Sequence, residues 1–429
     1  MADQTKKELR NKLMYQVFVR NYTEEGTFDG VRRDLDRIRD LGVDIVYLLP
    51  IHPIGEKCRK GSLGSPYAIS DYRAVNPEYG TLEDFRALAD AVHEKGMKII
   101  IDVVYNHTSP DSVLSVEHPE WFYRKEDGSF GNHVGDWSDI IDLDYSREGL
   151  AEYQIETLKY WAGMVDGFRC DVAPFLPLAF WEKARKEVAE VNPDCLWLSE
   201  SVEPAFIREM RDVGLNVLSD GEVFRAFDVC YDYDVFEYFT GYLRGDNTLS
   251  AYAEAVNRQE TIYPDNYVKL RFLENHDQAR VRFLVPDEKG LRSLTAFSFF
   301  QKGMAFLYAG QEYGASHRPS LFDKDTVCME AENGTDLTEL IRRMACIKKD
   351  PLFTDSTYRV WTSGEDMLTA CHSRNGSVLV GVFSFKGKTS PAYVPLPDGY
   401  YENLIDGKTV EVYWERVICN GEPLILRKR

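Results

Sequence analysis

Short apolar runs alternate with amphipathic helical patterns as far as residue 353, and this alternation leaves the chain few possible folds. Ile45-Val-Tyr-Leu-Leu49 and Lys98-Ile-Ile-Ile-Asp-Val-Val104 are almost continuously apolar. Strands covered on both faces read this way, as in a parallel sheet clad with helices. Runs over 13–19, 165–171, 196–200, 216–220, 268–273 and 304–308 complete a set of eight. Helices fall between them. Val31, Leu35, Ile38 and Leu41 give one apolar face over 31–41, with Gly42 at the C′ position. Thr81 is placed as an N-cap, with Glu83 and Asp84 in the first turn of the next helix. That helix turns Leu82, Phe85, Leu88, Ala89 and Val92 inward and stops at Gly96. Eight such units predict an α/β fold, a (β/α)8 TIM barrel.

Two stretches break the pattern. Residues 107–146, after the third strand, are polar and turn-rich and too long for a plain loop, which predicts a short inserted subdomain. It carries Trp121, Phe122, Tyr123, Phe130 and Trp137. Beyond 353, β-like runs over 357–361, 377–384, 409–413 and 423–426 are separated by turn pairs such as Asp398-Gly399 and Asp406-Gly407. They predict a C-terminal antiparallel β-sandwich domain over 354–429. The barrel is then assigned to 1–106 and 147–353.

The partner classes are narrowed by charge. With Lys+Arg at 51 and Asp+Glu at 70, the net charge of −19 argues against nucleic acid or an anionic membrane surface as a partner. No apolar run is long enough to span a bilayer, and the polar start lacks the apolar core of a secretory signal. The eight cysteines are scattered without a CxxC pair. They read as free, buried thiols in a reducing cytoplasm. The oligomeric state stays open.

In a barrel of this kind the chemistry sits at the C-terminal ends of the strands. The third run holds Asp102 and leads to Asn106 and His107; the fourth ends in Arg169-Cys-Asp171, the fifth in Glu200 and the seventh leads to Glu274-Asn-His276-Asp277. Asp171, Glu200 and Asp277 therefore converge on one mouth from three strands. Arg169 stands two residues before Asp171, so both point to the same side of their strand. An arginine there favours the ionised form of Asp171. This set suits glycoside hydrolysis, where a retaining mechanism needs a carboxylate nucleophile and a carboxylic acid donor ~5–5.5 Å apart. The donor's pKa has to be raised by burial or by neighbouring negative charge. Histidines at the mouth can bond sugar hydroxyls without adding charge. The sequence has no HExxH, no glycine-rich phosphate loop and no GxSxG, so neither metalloprotease, nucleotide nor esterase chemistry is indicated.

At these residues the chain resembles the α-amylase family of glycoside hydrolases. Asp102-Val-Val-Tyr-Asn-His107, Gly167-Phe-Arg-Cys-Asp171, Trp197-Leu-Ser-Glu200 and Phe272-Leu-Glu-Asn-His-Asp277 resemble its four signatures in order. Gly303-Met-Ala-Phe-Leu-Tyr-Ala-Gly-Gln-Glu312 resembles its eighth-strand segment. Ser65-Pro-Tyr67-Ala-Ile-Ser-Asp71-Tyr72 and Asn76-Pro-Glu-Tyr-Gly-Thr81 resemble its loop after the second strand. The resemblance implies that Asp171 is the nucleophile, Glu200 the acid/base and Asp277 the transition-state stabiliser. It implies that Tyr67 stacks on the sugar at the cleavage point, and that His107, Arg169 and His276 hydrogen-bond that sugar and Asp171.

The implied substrate is an α-1,4-glucan of starch origin or a maltooligosaccharide. A transglycosylase or phosphorolytic relative would use the same three carboxylates, and a non-catalytic carbohydrate-binding member would share the fold. No cofactor is expected. Asn106 matches a family calcium ligand, while Pro174-Phe175 replaces the Lys-His pair that follows the nucleophile in many members. That replacement counts against calcium and removes the usual leaving-side contacts. The shortness of the insert predicts a low cleft wall.

Overall fold

The structure, a computed structural model, describes residues 4–428. The expected barrel start at residue 1 and the β-domain end at 429 lie outside the described residues. Eight parallel strands close into a barrel: β1 Leu13–Val17, β2 Ile45–Leu48, β3 Lys98–Val103, β4 Gly167–Cys170, β5 Leu196–Ser199, β6 Val229–Tyr231, β7 Lys269–Arg271 and β8 Met304–Tyr308. Each pairs with its chain neighbours, and β1 closes the ring against β8. Apart from Lys98 at the start of β3, every residue of these strands is buried, which is why their sequences run apolar without alternation.

Seven of the eight expected strands form within the runs that predict them, and one strand and one helix are corrected. The run over 216–220 is not a strand. Leu218 N donates to Pro174 O at 2.8 Å, Arg211 Nε donates to Val217 O at 2.8 Å, and Ser219 then caps the short helix Asp220–Val223. The sixth strand is Val229–Tyr231. Both stretches are short and apolar, so periodicity cannot separate them. The difference is Asp220, whose carboxylate pairs with the buried ammonium of Lys269 in β7. The helix over 31–41 is also broken, into Phe28–Arg33 and Leu35–Asp40. Asp34, at the break, accepts from Tyr22 Oη at 2.5 Å and Arg37 Nη2 at 2.7 Å. The helix Leu82–Glu94 opens with a reciprocal capping box between Thr81 and Asp84.

Between β3 and β4, a two-residue ladder joins His107–Thr108 to Ile141–Asp142. The chain between these rungs folds around buried Trp121 and Phe122, and the Trp121 indole donates to Glu148 O at 3.0 Å. After the barrel come β9 Thr357–Thr362, β10 Met367–Arg374, β11 Ser377–Ser384, β12 Ser390–Tyr393, β13 Gly399–Glu402, β14 Thr409–Val412, β15 Arg416–Cys419 and β16 Leu424–Lys428. They form an antiparallel sheet in the order β9-β10-β11-β16, with the pairs β12-β15 and β13-β14 beside it. Four of these strands, β10, β12, β13 and β15, carry no run singled out in the sequence; β12, β13 and β15 are short and half-exposed, whereas β10 is long and mostly buried. Phe297 and Phe300 of the helix Glu288–Phe300 pack on Phe383 of β11 and fasten the β domain to the barrel. All eight cysteines are free, but Cys58, Cys328 and Cys346 are exposed rather than buried as expected. Among the described residues no helix is long and apolar enough to cross a membrane.

Candidate active site

The barrel register creates the site. Asp102 of β3 lies opposite Arg169 of β4, and parallel partners in register point to the same side. Arg169 is wholly buried and reaches three carboxyl groups. Its Nη1 donates to Asp102 Oδ1 and Oδ2 at 2.8 and 2.9 Å and to Asp171 Oδ1 at 2.8 Å. Its Nη2 lies 2.6 Å from Glu200 Oε1. One guanidinium thus fixes the ends of β4 and β5 relative to each other.

The turn after Asp171 is strained. Val172 is β-branched yet sits at φ +35°, ψ +43°, a left-handed conformation that such residues rarely adopt. The gain is visible in its amide, which donates to Glu200 Oε2 at 2.8 Å. Glu200 is therefore held by both oxygens. The corrected 216–219 segment supports this turn through its bond to Pro174 O.

His276 forms the other wall. Its ring stacks on Tyr67, with centroids 5.4 Å apart and planes 15° from parallel. Nε2 lies 2.6 Å from Tyr67 Oη and 2.9 Å from Asp277 Oδ2, while Gln16 Nε2 holds Nδ1 at 3.0 Å. Tyr67 Oη and Tyr47 Oη both donate to Asp102 Oδ2, at 3.1 and 2.6 Å. His107 Nε2 stands 3.9 Å from Asp171 Oδ2. So the seven residues singled out in the sequence, Tyr67, His107, Arg169, Asp171, Glu200, His276 and Asp277, gather in one cluster. Three supporting groups were missed: Gln16, Tyr47 and the Val172 amide. The first had a signal, a lone polar residue inside the apolar run of β1; the others had none.

Burial decides the charges. It pushes Glu200 up to about 8, with Asp171 and Asp277 adding repulsion and Arg169 opposing. Burial also raises Asp171, but Arg169 and its hydrogen bond hold it to about 6. Burial therefore raises both carboxyls of the pair, Glu200 the further. Asp277 differs. Its side chain is 41% exposed. The surrounding protein works against its charge, but the His276 ring, then Arg169 and Arg318, outweigh this and lower its pKa. Burial drives the His107 ring down to about 4, so it is neutral.

A calcium site at Asn106 finds little to build on. Asn106 Nδ2 faces His107 Nδ1 at 3.2 Å. The nearby carboxylates of the insert are engaged: Lys60 Nζ lies 2.9 Å from Asp139 Oδ1, and His133 Nδ1 lies 2.7 Å from Asp142 Oδ2. Calcium takes a shell of six to eight oxygens. The donor set here does not fit it, and among the described residues no group of three or more His, Cys, Asp or Glu could hold a metal.

A buried carboxylate and a buried carboxylic acid sharing one arginine, beside a third, open carboxylate at a barrel mouth, suit the cleavage of a glycosidic bond. The catalytic-domain model of the alpha amylases matches residues 15–129 and 111–367, and the bacterial alpha-amylase C-terminal domain matches 359–426. The chain belongs to the α-amylase family of glycoside hydrolases, the enzyme class that its sequence motifs indicate.

An alpha-amylase from Lactobacillus plantarum has a solved structure that is 48% identical, covering 99% of this chain and all of that one, with a TM-score of 0.96. The maltogenic alpha-amylase AmyB from Thermotoga neapolitana is 32% identical over 98% of this chain and 99% of its own, with a TM-score of 0.87. Among curated relatives, the alpha-1,4-glucan:maltose-1-phosphate maltosyltransferase of Pseudomonas aeruginosa is 37% identical over 47% of this chain and 34% of its own. The chain spans less than half the length of the curated relatives it matches.

Proposed function

We propose that the protein is a retaining hydrolase of α-1,4-glucosidic bonds in starch-derived glucans or maltooligosaccharides. The observation that carries this reading is one buried guanidinium shared by two carboxyls, with Arg169 Nη1 2.8 Å from Asp171 Oδ1 and Nη2 2.6 Å from Glu200 Oε1, and burial raising Glu200 the further of the two. Asp171 attacks the anomeric carbon while Glu200 gives its proton to the leaving oxygen, so the glycosidic bond breaks as the enzyme ester forms. The empty Glu200 carboxylate then takes a proton from water as the water's oxygen displaces Asp171. Two inversions restore the starting anomer.

Asp277, open to the mouth, accepts hydrogen bonds from hydroxyls of the flattened ring, and Tyr67 offers that ring an apolar face. His276 bonds hydroxyls from the other wall, and neutral His107 does so without competing for the proton. These contacts strengthen as the ring gains positive charge, which is where binding gives rate. The eight free thiols support a cytoplasmic location.

A second reading, glycosyl transfer, draws on one feature. Trp137 of the insert, Phe175 after β4 and Phe206 after β5 touch in series, with centroids 6.3 and 5.7 Å apart, and all three are half-exposed. Such a wall could seat an acceptor sugar in place of water, as the names of the maltosyltransferase relatives suggest. A timed product profile on maltotriose through maltoheptaose tests both readings. Shorter products with the α anomer first support hydrolysis, and products longer than the starting sugar support transfer. No change on any of them by folded protein refutes both.

A further inference from the structure

The tight hairpin turn between β14 and β15 of the C-terminal domain, closed by one bridge from Tyr413 to Arg416, is built against local preference. This two-residue turn closes with Tyr413 N donating to Arg416 O at 2.9 Å and Arg416 N donating to Tyr413 O at 3.1 Å. Both central residues are left-handed, Trp414 at φ +52° and Glu415 at φ +55°. Turns of this type favour Asn-Gly, because a side chain at positive φ meets its own backbone. This chain places its bulkiest side chain there and leaves it 76% exposed. The strained backbone is pinned: Glu415 O accepts from Val394 N at 2.9 Å, and Glu415 N donates to Asp398 Oδ1 at 3.3 Å. A strained conformation held from several sides points to a use for it.

The use is suggested by the neighbours. Tyr413, 62% exposed, lies beside Trp414 with its ring 18° from parallel and 5.5 Å away. Both rings border a surface groove of about 710 Å³ lined wholly by the C-terminal domain, with Glu411, Arg416 and Asn420 along it. Charges of both signs sit within this aromatic strip, which is unlike the charge-depleted centre of a protein interface. Flat π faces next to carboxylate, guanidinium and amide groups match a polyhydroxylated ring instead. The slightly positive C–H face of a pyranose meets the negative ring face, and the hydroxyls meet the polar groups.

We infer that the Tyr413–Trp414 hairpin is a second carbohydrate site, which holds α-glucan chains on the β domain apart from the barrel mouth. The inference rests on the glucan reading above. A tethering site of this kind raises the local concentration of polymer at the enzyme without entering the reaction, and it matters for long or insoluble substrates only.

The test uses the full chain, starch granules as the polymer and maltotriose as the small substrate. Trp414→Gly removes the ring and relaxes the left-handed backbone, so the variant keeps its fold. Trp414→Tyr keeps an aromatic face. Granule adsorption is expected to weaken about tenfold in Trp414→Gly and less than about twofold in Trp414→Tyr, with maltotriose cleavage unchanged in both. Equal adsorption by wild type and Trp414→Gly overturns the inference while leaving the hydrolase reading intact. A wild-type dimer in sedimentation that Trp414→Gly splits into monomers also overturns it, by making the hairpin a self-contact. Trp414-dependent adsorption without cleavage of any sugar from maltotriose through maltoheptaose supports the site and refutes the hydrolase reading instead.

Discussion

Replacing Glu200 with Gln tests the division of labour across Arg169 directly. The variant keeps an oxygen for the Val172 amide, which donates to Glu200 Oε2 at 2.8 Å in the native site, but it has no proton to give. With burial raising Glu200 to about 8 and Asp171 to about 6, the pair carries one proton between those values. Wild-type kcat/KM should therefore rise as pH increases through about 6, peak near 7, and fall through about 8. In Glu200→Gln, kcat/KM on maltotriose should drop by about 10²–10⁴-fold, the usual worth of a positioned acid. An aryl maltotrioside with an acidic phenol leaving group needs no such proton. Its first step should survive, giving a burst of phenol followed by slow turnover, and its basic limb should vanish. Added azide should then release the trapped sugar as the α-azide, since azide needs no general base. An equal loss on both substrates, or a basic limb that persists in the variant, would refute the assignment.

Stability carries the same signature. Glu200 has a folded pKa raised from 4.5 to about 8, so its contribution is fully present below 4.5 and is lost as pH rises through about 8. Glu200→Gln should therefore gain Tm relative to wild type at pH 9 and not at pH 4, by calorimetry at both. Lys269 is buried between Asp220 and Asp234, with Asp234 Oδ1 at 2.8 Å. Lys269→Met leaves two carboxylates without their cation and should cost about 3–5 kcal/mol in urea unfolding; a loss below about 1 kcal/mol would show that they simply protonate. Phe175→Ala interrupts the aromatic wall between Trp137 and Phe206. Any products longer than the starting sugar should fall relative to shorter ones, and an unchanged ratio would remove the wall from the acceptor's path.

The motifs carried the site further than the fold. Asp171, Glu200 and Asp277 were legible because barrel strands end at the mouth, so a carboxylate closing an apolar run has one place to go. Arg169 was legible through its two-residue spacing. Asp102 was visible as a charge inside a strand, but its link to Tyr47 and Tyr67 was not, because those bonds cross the ring between segments 35 and 55 residues apart. The inserted ladder that carries His107 was expected only as a break in periodicity.

What the sequence determined alone was everything written in local spacing: apolar runs, caps such as Thr81, and the order of polar residues at strand ends. Tertiary structure decided the rest. It chose Val229–Tyr231 over 216–220 as the sixth strand, because that run pairs in register with β5 on one side and β7 on the other. It forced Val172 and Trp414 into left-handed backbone that their own side chains disfavour, since distant hydrogen bonds outweigh local preference there. It also set how far each carboxyl of the site is raised, because burial and shared charge exist only once the strands have closed.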